Sequence, residues 1–469
     1  MSLEEIARFF EPASVVVVGV SRNPLKFGSA IISNLKNLQY PGKLYIVNSN
    51  AANEEILGLR CYSSVKSIEE PVDLAILAIP AQAVPGVMQD CAARGVRNIV
   101  IISSGFNEAG EAGQRYLDEI LAIAHQANMM IVGPNTTGIL SPGTRFTTTF
   151  VPLPADLGSG PVAFVSQTGM FAGIMLKHIL STEYFGVSRV AGLGNKCDVD
   201  DSDILEYLYC EPDTKAVMIY MEGVRRGRHF LETARWFSAK KPIVLLKGGR
   251  TPAGAKAALS HTGSLASEYG VLEDVFQQAG IILANDMEEM IDYAKILAYL
   301  EPPRGERLGV VSMSGGAAVM ASDVISERRM KLAPVSSEDL KLINASYPEW
   351  ATAGHPLDIE PLMEKVGGRE GYRMGLETML KCPNVDMVLL VIGMGIFVDE
   401  EDTMLVNHLA PVLKSANKPV AISLIGARSN CNHVSALLEE MNVPTYRSIT
   451  RAVKSLDALV KYARIRKKC

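Results

Sequence analysis

The sequence predicts an α/β protein made of three parallel-sheet domains in series. Three stretches share one pattern, a β-branched apolar strand, then a small-residue turn, then a helix. They are Val15-Val16-Val17-Val18-Gly19-Val20-Ser21, Val162-Ala163-Phe164-Val165-Ser166-Gln167-Thr168-Gly169 and Gly309-Val310-Val311-Ser312-Met313-Ser314-Gly315-Gly316. Their first residues lie at 15, 162 and 309, a constant spacing of 147 that suits one domain each. The strands are continuously apolar rather than alternating, which marks sheets covered by helices on both faces and hence parallel pairing.

Further strands are expected at 44–47, 74–79 and 99–102 in the first unit, at 217–221 and 243–246 in the second, and at 387–392 and 420–424 in the third. Helices with apolar residues three and four apart lie between them, as at 29–37, 231–237 and 405–415. The Pro- and Gly-rich stretches 152–160 and 301–307 read as linkers, giving domains at 1–150, 160–300 and 307–469.

Composition narrows the classes of function. The 469 residues are 48% hydrophobic and 21% charged, with a formal net charge of −5, which argues against a nucleic-acid surface. The basic tail Lys461, Arg464, Arg466, Lys467 and Lys468 reads as a solvated helix end. Seven dispersed cysteines with no CxxC pair point to a reducing compartment and no structural zinc, and no metal site is expected. The acidic start Met1-Ser2-Leu3-Glu4-Glu5 has no apolar leader, and the longest apolar run, 387–398, is short and broken by Gly393 and Gly395. A soluble, cytoplasmic protein with no membrane partner is the expectation.

The chemistry concentrates at turns. A strand that passes through Gly or Ser into a helix offers unpaired N–H groups at a positive dipole end, which suits phosphate. In Gly19-Val20-Ser21-Arg22-Asn23-Pro24-Leu25-Lys26-Phe27-Gly28 the second glycine of GxGxxG is missing, but Arg22 and Lys26 add two cations. Asn48-Ser49-Asn50 stands where a ribose-binding carboxylate would be expected. This favours a nucleotide with extra phosphate charge, such as coenzyme A, over NAD, with a purely structural glycine turn as the competing reading. Ser166-Gln167-Thr168-Gly169 and Ser314-Gly315-Gly316 repeat the cradle without cations and suit one small dianion, though both would also serve as helix caps. The stretch Ala258-Leu259-Ser260-His261-Thr262-Gly263-Ser264-Leu265-Ala266 sets a histidine among small residues that read as a mobile loop. Near neutral pH most of such an imidazole is an unprotonated nucleophile. Glu222, at the end of a strand, could accept its Nδ1–H and leave Nε2 free to attack, with a solvated surface carboxylate as the competing reading.

These residues, with Gly133-Pro134-Asn135-Thr136-Thr137-Gly138 and Gly194-Asn195-Lys196-Cys197-Asp198-Val199-Asp200, resemble the nucleoside-diphosphate-forming acyl-CoA synthetases, relatives of succinyl-CoA synthetase. The closest type is the alpha subunit of ADP-forming acetyl-CoA synthetase, and the resemblance runs along nearly the whole chain. It implies a Rossmann-like CoA-binding domain followed by two flavodoxin-like domains of succinyl-CoA-synthetase type. It also implies a reversible reaction in which acyl-CoA, ADP and phosphate give free acid, CoA and ATP through an acyl phosphate. In that scheme CoA lies on Gly19, Ser21, Arg22, Lys26 and Gly28, with Asn48, Pro80 and Ser103 alongside. Phosphate lies on Ser166, Gln167, Thr168 and Gly169, with Gly315 and Gly316. His261 takes the phosphoryl group, held by Glu222, and delivers it to an ATP-grasp beta subunit that carries Mg-ADP or Mg-ATP in an α2β2 assembly. The chain departs from the family pattern at Thr168 and Met170-Phe171, near where a small carboxylic acid should lie, so acetate does not carry over from the resemblance. A non-catalytic CoA-binding regulator on the same domains is the alternative, but it has no use for both His261 and Glu222. An NAD-dependent dehydrogenase is disfavoured by Arg22, Lys26 and the missing acidic residue.

Overall fold

The computed structural model describes residues 2–169, 171–262, 269–394 and 399–468, with the side chains of 171–172, 258–262, 269 and 399–401 outside that description. It divides into two compact units, Met1–Leu283 and Ala284–Cys469.

The first unit holds two sheets. In the first, the buried strand Ser14–Val18 pairs in parallel with Lys43–Val47 on one side and Leu74–Leu77 on the other. Leu59–Tyr62 continues one edge, Asn98–Ile101 and Met130–Val132 the other, all parallel. In chain order these six strands lie 3-2-1-4-5-6, the Rossmann arrangement, with Glu55–Ile56 as a short antiparallel flap. The winding changes side at Ser14–Val18, so the turn after Val18 opens at the switch point where α/β proteins bind ligands. The following helix, Phe27–Asn37, turns Ile31, Ile32 and Leu35 into the core, one apolar stripe at helical spacing.

The second sheet is centred on Ser159–Ser166, with Val187–Gly192 on one side and Ala216–Met221, Ile243–Lys247 and Ile281–Ala284 on the other. This is the 2-1-3-4-5 order of flavodoxin-like folds. Ile139–Ser141 and Phe146–Thr147, which precede the 152–160 linker, extend this sheet antiparallel at its edge rather than joining the first. The strand Val187–Gly192 has no continuous apolar signature because Arg189 lies inside it. That guanidinium is buried and held by Glu11 at 2.9 Å, Glu211 at 3.2 Å and the Tyr207 hydroxyl at 3.2 Å, partners that offset its desolvation.

The second unit repeats the flavodoxin order. Arg307–Ser312 is flanked by Lys331–Leu332 and Leu357–Asp358 on one edge and by Met387–Met394, Val420–Gly426 and Thr445–Tyr446 on the other. The expected α/β chain with three mostly parallel sheets in series is therefore what folds. Helix Met287–Tyr299, counted with the middle domain on the sequence, packs in this unit against Ile449–Lys468. Arg451 Nε donates to Asp292 at 2.7 Å, and the buried Lys295 ammonium lies 3.1 Å from Glu439. Among the described residues no helix is long and apolar enough to cross a membrane.

His355 ties this sheet to its neighbouring segment. The Val310 N–H donates to His355 Nε2 at 2.9 Å, and burial pushes the imidazole down from 6.5 to about 4, partly opposed by a hydrogen bond to the Ala333 backbone. The folded protein thus holds a neutral ring. Its contribution to stability is fully present above the unfolded value of 6.5 and is lost as pH falls toward 4. In calorimetry from pH 7 to pH 4, the melting temperature of the second unit should fall less in His355→Gln than in the wild type. Equal falls would remove His355 as an acid-sensitive group.

Candidate functional site

Two glycines shape the turn after the first strand. Gly19 has φ +97°, and a Cβ there would overlap the Ala78 carbonyl oxygen; its N–H donates to Val47 O at 2.9 Å. A Cβ on Gly28 would stand 2.7 Å from Gly19 O, so the helix start and the turn approach as closely as backbone allows. The Ser21 N–H donates to Ser29 Oγ at 3.1 Å, and Ser29 Oγ donates back to Ser21 O at 2.6 Å. Asn48 Nδ2 holds Val20 O at 2.8 Å, and Ser103 Oγ donates to the Ile79 carbonyl just before the exposed Pro80. Lys26 is the exposed N-cap of Phe27–Asn37 and makes no side-chain cap, so its ammonium stands beside the helix start. Arg22 is paired with Glu54 at 2.7 Å in an exposed bridge. Gly19, Ser21, Lys26, Gly28, Asn48, Pro80 and Ser103 thus gather at the C-terminal edge of one sheet. This setting fits a phosphorylated nucleotide tail.

At the same edge of the second sheet, Ser166 is completely buried and Gln167 and Thr168 nearly so. Ser166 Oγ donates to Thr168 O at 3.0 Å and accepts from the Thr168 N–H at 3.3 Å, turning the chain at Gly169 toward a π-helical turn, Phe171–Met175, and helix Leu176–Thr182. Gln167, expected on phosphate, is engaged within the protein. Its Oε1 accepts the N–H groups of Glu222 at 2.8 Å and Gly223 at 2.9 Å, and its own N–H donates to Tyr220 O at 3.1 Å. The carbonyls of the same two residues are also held. Lys247 Nζ donates to Glu222 O at 2.7 Å, and Lys196 Nζ to Gly223 O at 2.8 Å. The Glu222 carboxylate is buried and accepts from the Tyr220 hydroxyl at 3.3 Å. Burial and that carboxylate push the Tyr220 phenol up to about 12, so it stays a donor. Gly248 makes room for this contact, since a Cβ there would lie 2.7 Å from the Tyr220 hydroxyl.

The strand Ile243–Lys247 leads through Gly248 and Gly249 into helix Pro252–Thr262, whose last turn includes His261. The sequence reading of this stretch as a mobile loop is corrected here. Ala253, Ala255, Ala257 and Ala258 are the strongest helix formers, Pro252 suits the first helical position, and Thr251 Oγ1 caps the Gly254 N–H at 3.1 Å. The His261 side chain and residues 263–268 lie outside the described residues.

Sequence reasoning quoted two glycine-rich segments without giving them a job, and they tie the two edges together. The Asn135 N–H donates to Ser103 O at 2.9 Å and the Asn195 N–H to Pro134 O at 2.9 Å, while the Leu193 N–H reaches Ser166 O at 2.8 Å. Lys196, at φ +51° and buried, pairs with Asp201 at 2.7 Å. The signal for it was its place directly after Gly194-Asn195, at the end of a strand that the pattern did not reveal. In the second unit, Ser314 caps helix Gly315–Glu327 through the Ala317 N–H at 3.4 Å, and Gly315 and Gly316 are exposed at its start.

Comparison with known proteins follows this geometry. Residues 13–142 match the family model of the CoA binding domain, and residues 159–297 that of the succinyl-CoA ligase-like flavodoxin domain. The chain is 36% identical over 466 residues to the ADP-forming acetate–CoA ligase II of Archaeoglobus fulgidus, covering 99% of this chain and 68% of that protein. It is 35% identical over 460 residues to the alpha subunit of ADP-forming acetate–CoA ligase II of Pyrococcus furiosus, covering 97% of each. Among solved structures it is similar to the dinucleotide-forming acetyl-coenzyme A synthetase 1 of Ca. Korarchaeum cryptofilum in complex with phosphate and ADP, at TM-score 0.89 and 34% identity over 98% of this chain and 97% of that one. With a segment that matches the CoA binding domain, its flavodoxin-type sheets and relatives that match 97–99% of its own length, the chain belongs to the ADP-forming acyl-CoA synthetases, acid–thiol ligases, as an alpha subunit.

Proposed function

We propose that this subunit makes and breaks the acyl phosphate and carries the phosphoryl group on His261. Phosphate oxygen attacks the thioester carbonyl, the C–S bond breaks, and CoA leaves as a thiolate that takes up a proton. His261 Nε2 then attacks phosphorus, the P–O bond to the acyl group breaks, and the free carboxylate departs. Glu222 accepts the Nδ1–H, fixes the tautomer and balances the imidazolium charge. The N–H groups at the helix start after Ser166, Thr168 and Gly169 receive the phosphate, and the start at Gly315 and Gly316 offers a second such end. The observation that carries this reading is the clamp on Glu222 and Gly223, which fixes a buried carboxylate beside the strand that leads to His261. A CoA-binding regulator would have no use for it.

CoA binds at the first sheet, its phosphates on the Gly19–Gly28 turn and Lys26, with Arg22 able to exchange Glu54 for a phosphate. Ser21, Asn48, Pro80 and Ser103 border the same cradle. Mg-ADP binds on an ATP-grasp beta subunit in an α2β2 assembly in the cytoplasm. In support, the chain spans 97% of a relative named as a subunit alpha but 68% of the Archaeoglobus ligase. The domains behind these roles are 1–150, 160–300 and 307–469.

His261→Asn should abolish acid-labile, base-stable labelling by acyl-CoA and radioactive phosphate, while CoA affinity in calorimetry stays within twofold. Glu222→Gln should slow that labelling by at least 100-fold; labelling of Glu222→Gln at the wild-type rate would exclude the carboxylate from the chemistry.

Calorimetry of the chain alone should detect CoA binding and no Mg-ADP binding. Lys26→Glu should weaken CoA at least tenfold, and this loss should shrink as salt screens the contact. Tight Mg-ADP binding by the isolated chain would overturn the two-subunit reading.

A further inference from the structure

Lys247 is a buried cation that the fold does not account for. It is 8% exposed, and its ammonium donates to two loop carbonyls, those of Glu222 and Gly248. Among the described residues no carboxylate oxygen stands within ion-pair distance of it, whereas the neighbouring Lys196 has Asp201 at 2.7 Å. Another buried lysine, Lys241, also binds only carbonyls, but those of Leu208 and Glu211 at the end of helix Asp201–Cys210, where the helix dipole favours a cation. Lys247 has no such end beside it and lies at the opposite, ligand-binding edge of the same sheet.

Register makes the contrast sharper. Lys247 pairs with Met221, which follows the Ser166 partner Tyr220 by one residue. In the third sheet Ser312 pairs with Val391, and the corresponding residue beside Ile392 is Leu424, 1% exposed. The same architecture therefore closes with leucine at this position, so a buried ammonium is not a general requirement of the strand end. Burial and the positive charge of Lys196 lower the Lys247 ammonium, opposed by Glu222, so an added anion would relieve a cost already present.

We propose that Lys247 is a phosphate-binding residue, its third N–H directed to an oxygen of the phosphoryl group as that group passes between the acyl phosphate and His261. The inference rests on the phosphohistidine reading above. Lys247 keeps its proton throughout; it holds charge while the P–O bond to the acyl group breaks and the P–N bond forms, and it covers the edge of the phosphate that the helix start does not reach.

The test uses the full chain with Lys247→Gln, whose amide keeps two N–H donors without the charge, and Lys247→Met. Inorganic phosphate should raise the melting temperature of the wild type and leave Lys247→Gln unmoved, while CoA stabilises both alike. In labelling of His261 from acyl-CoA, the KM for phosphate should rise at least tenfold in both variants, with the CoA dissociation constant within twofold of wild type. A phosphate KM within twofold of wild type in Lys247→Gln, or parallel losses of CoA and phosphate affinity, would overturn the proposal and leave Lys247 a brace. Should the wild type itself fail to label at His261, the phosphohistidine reading falls. The phosphate-induced melting shift, compared between wild type and Lys247→Gln, would still decide the anion site.

Discussion

Everything at the second sheet's edge depends on how one dipeptide is held. Glu222 and Gly223 leave the strand Ala216–Met221 with two N–H groups and two carbonyls that the sheet no longer pairs. Gln167, Lys247 and Lys196 satisfy all four. Buried backbone groups left unpaired cost free energy on the order of 1–3 kcal/mol each, so the clamp is a condition of burial as much as of function. Its consequence is a fixed backbone from which the Glu222 carboxylate, buried and bonded to the Tyr220 hydroxyl, projects. The same three side chains come from three separate elements, so the clamp forms only when the strand carrying Ser166, the turn at Lys196 and the strand ending at Lys247 are all in place.

The two ligand edges are also mechanically continuous. The peptide of Asn135 hangs on Ser103 at the edge of the first sheet, that of Asn195 on Pro134, and that of Leu193 on Ser166 at the edge of the second. Gly194 is required in this chain of contacts, since a Cβ there would overlap the Pro134 carbonyl. In the mechanism we propose, a thioester and a phosphate meet within bonding distance, and backbone hydrogen bonds between rigid elements are suited to holding that separation.

Much of this was legible in the residues because parallel sheets announce themselves as continuous apolar runs. Where the signal failed, a local rule had been broken. Val187–Gly192 was missed because a buried Arg189 breaks its apolar run and is neutralised only by the distant Glu11 and Glu211. The helix Pro252–Thr262 was misread because small residues were taken as looseness, although alanine lowers the cost of a helix more than any other residue. At the site, Glu222 was visible at a strand end, and the sequence reading for Gln167 was phosphate. The contact its Oε1 makes is across the sheet, with residues 55 and 56 positions away, which no local pattern encodes. The contacts of Lys196 and Lys247 with Gly223 and Glu222 are equally long-range and equally hidden from local pattern.

The third sheet shows what the second would be without chemistry. It has the same strand order and the same serine turn, with Ser312 Oγ donating to Ser314 O at 2.9 Å as Ser166 Oγ does to Thr168 O at 3.0 Å. Register then matches Gln167 with Met313, Glu222 with Gly393 and Lys247 with Leu424. At Gly393 the space a side chain would fill is taken by the Met313 sulfur, so the acceptor that holds the backbone N–H groups of Glu222 and Gly223 in one sheet becomes an apolar atom seated on a glycine in the other. Both solutions bury the strand end, one by hydrogen bonds and one by packing. The first sets a carboxylate and an ammonium together beside its serine turn, which is why we assign the acid–base and phosphate chemistry to the sheet that carries Gln167, Glu222 and Lys247. At the third edge Asp358 stands against the helix start at Gly315, a carboxylate beside an N-terminal dipole with apolar Leu424 where the second sheet has Lys247.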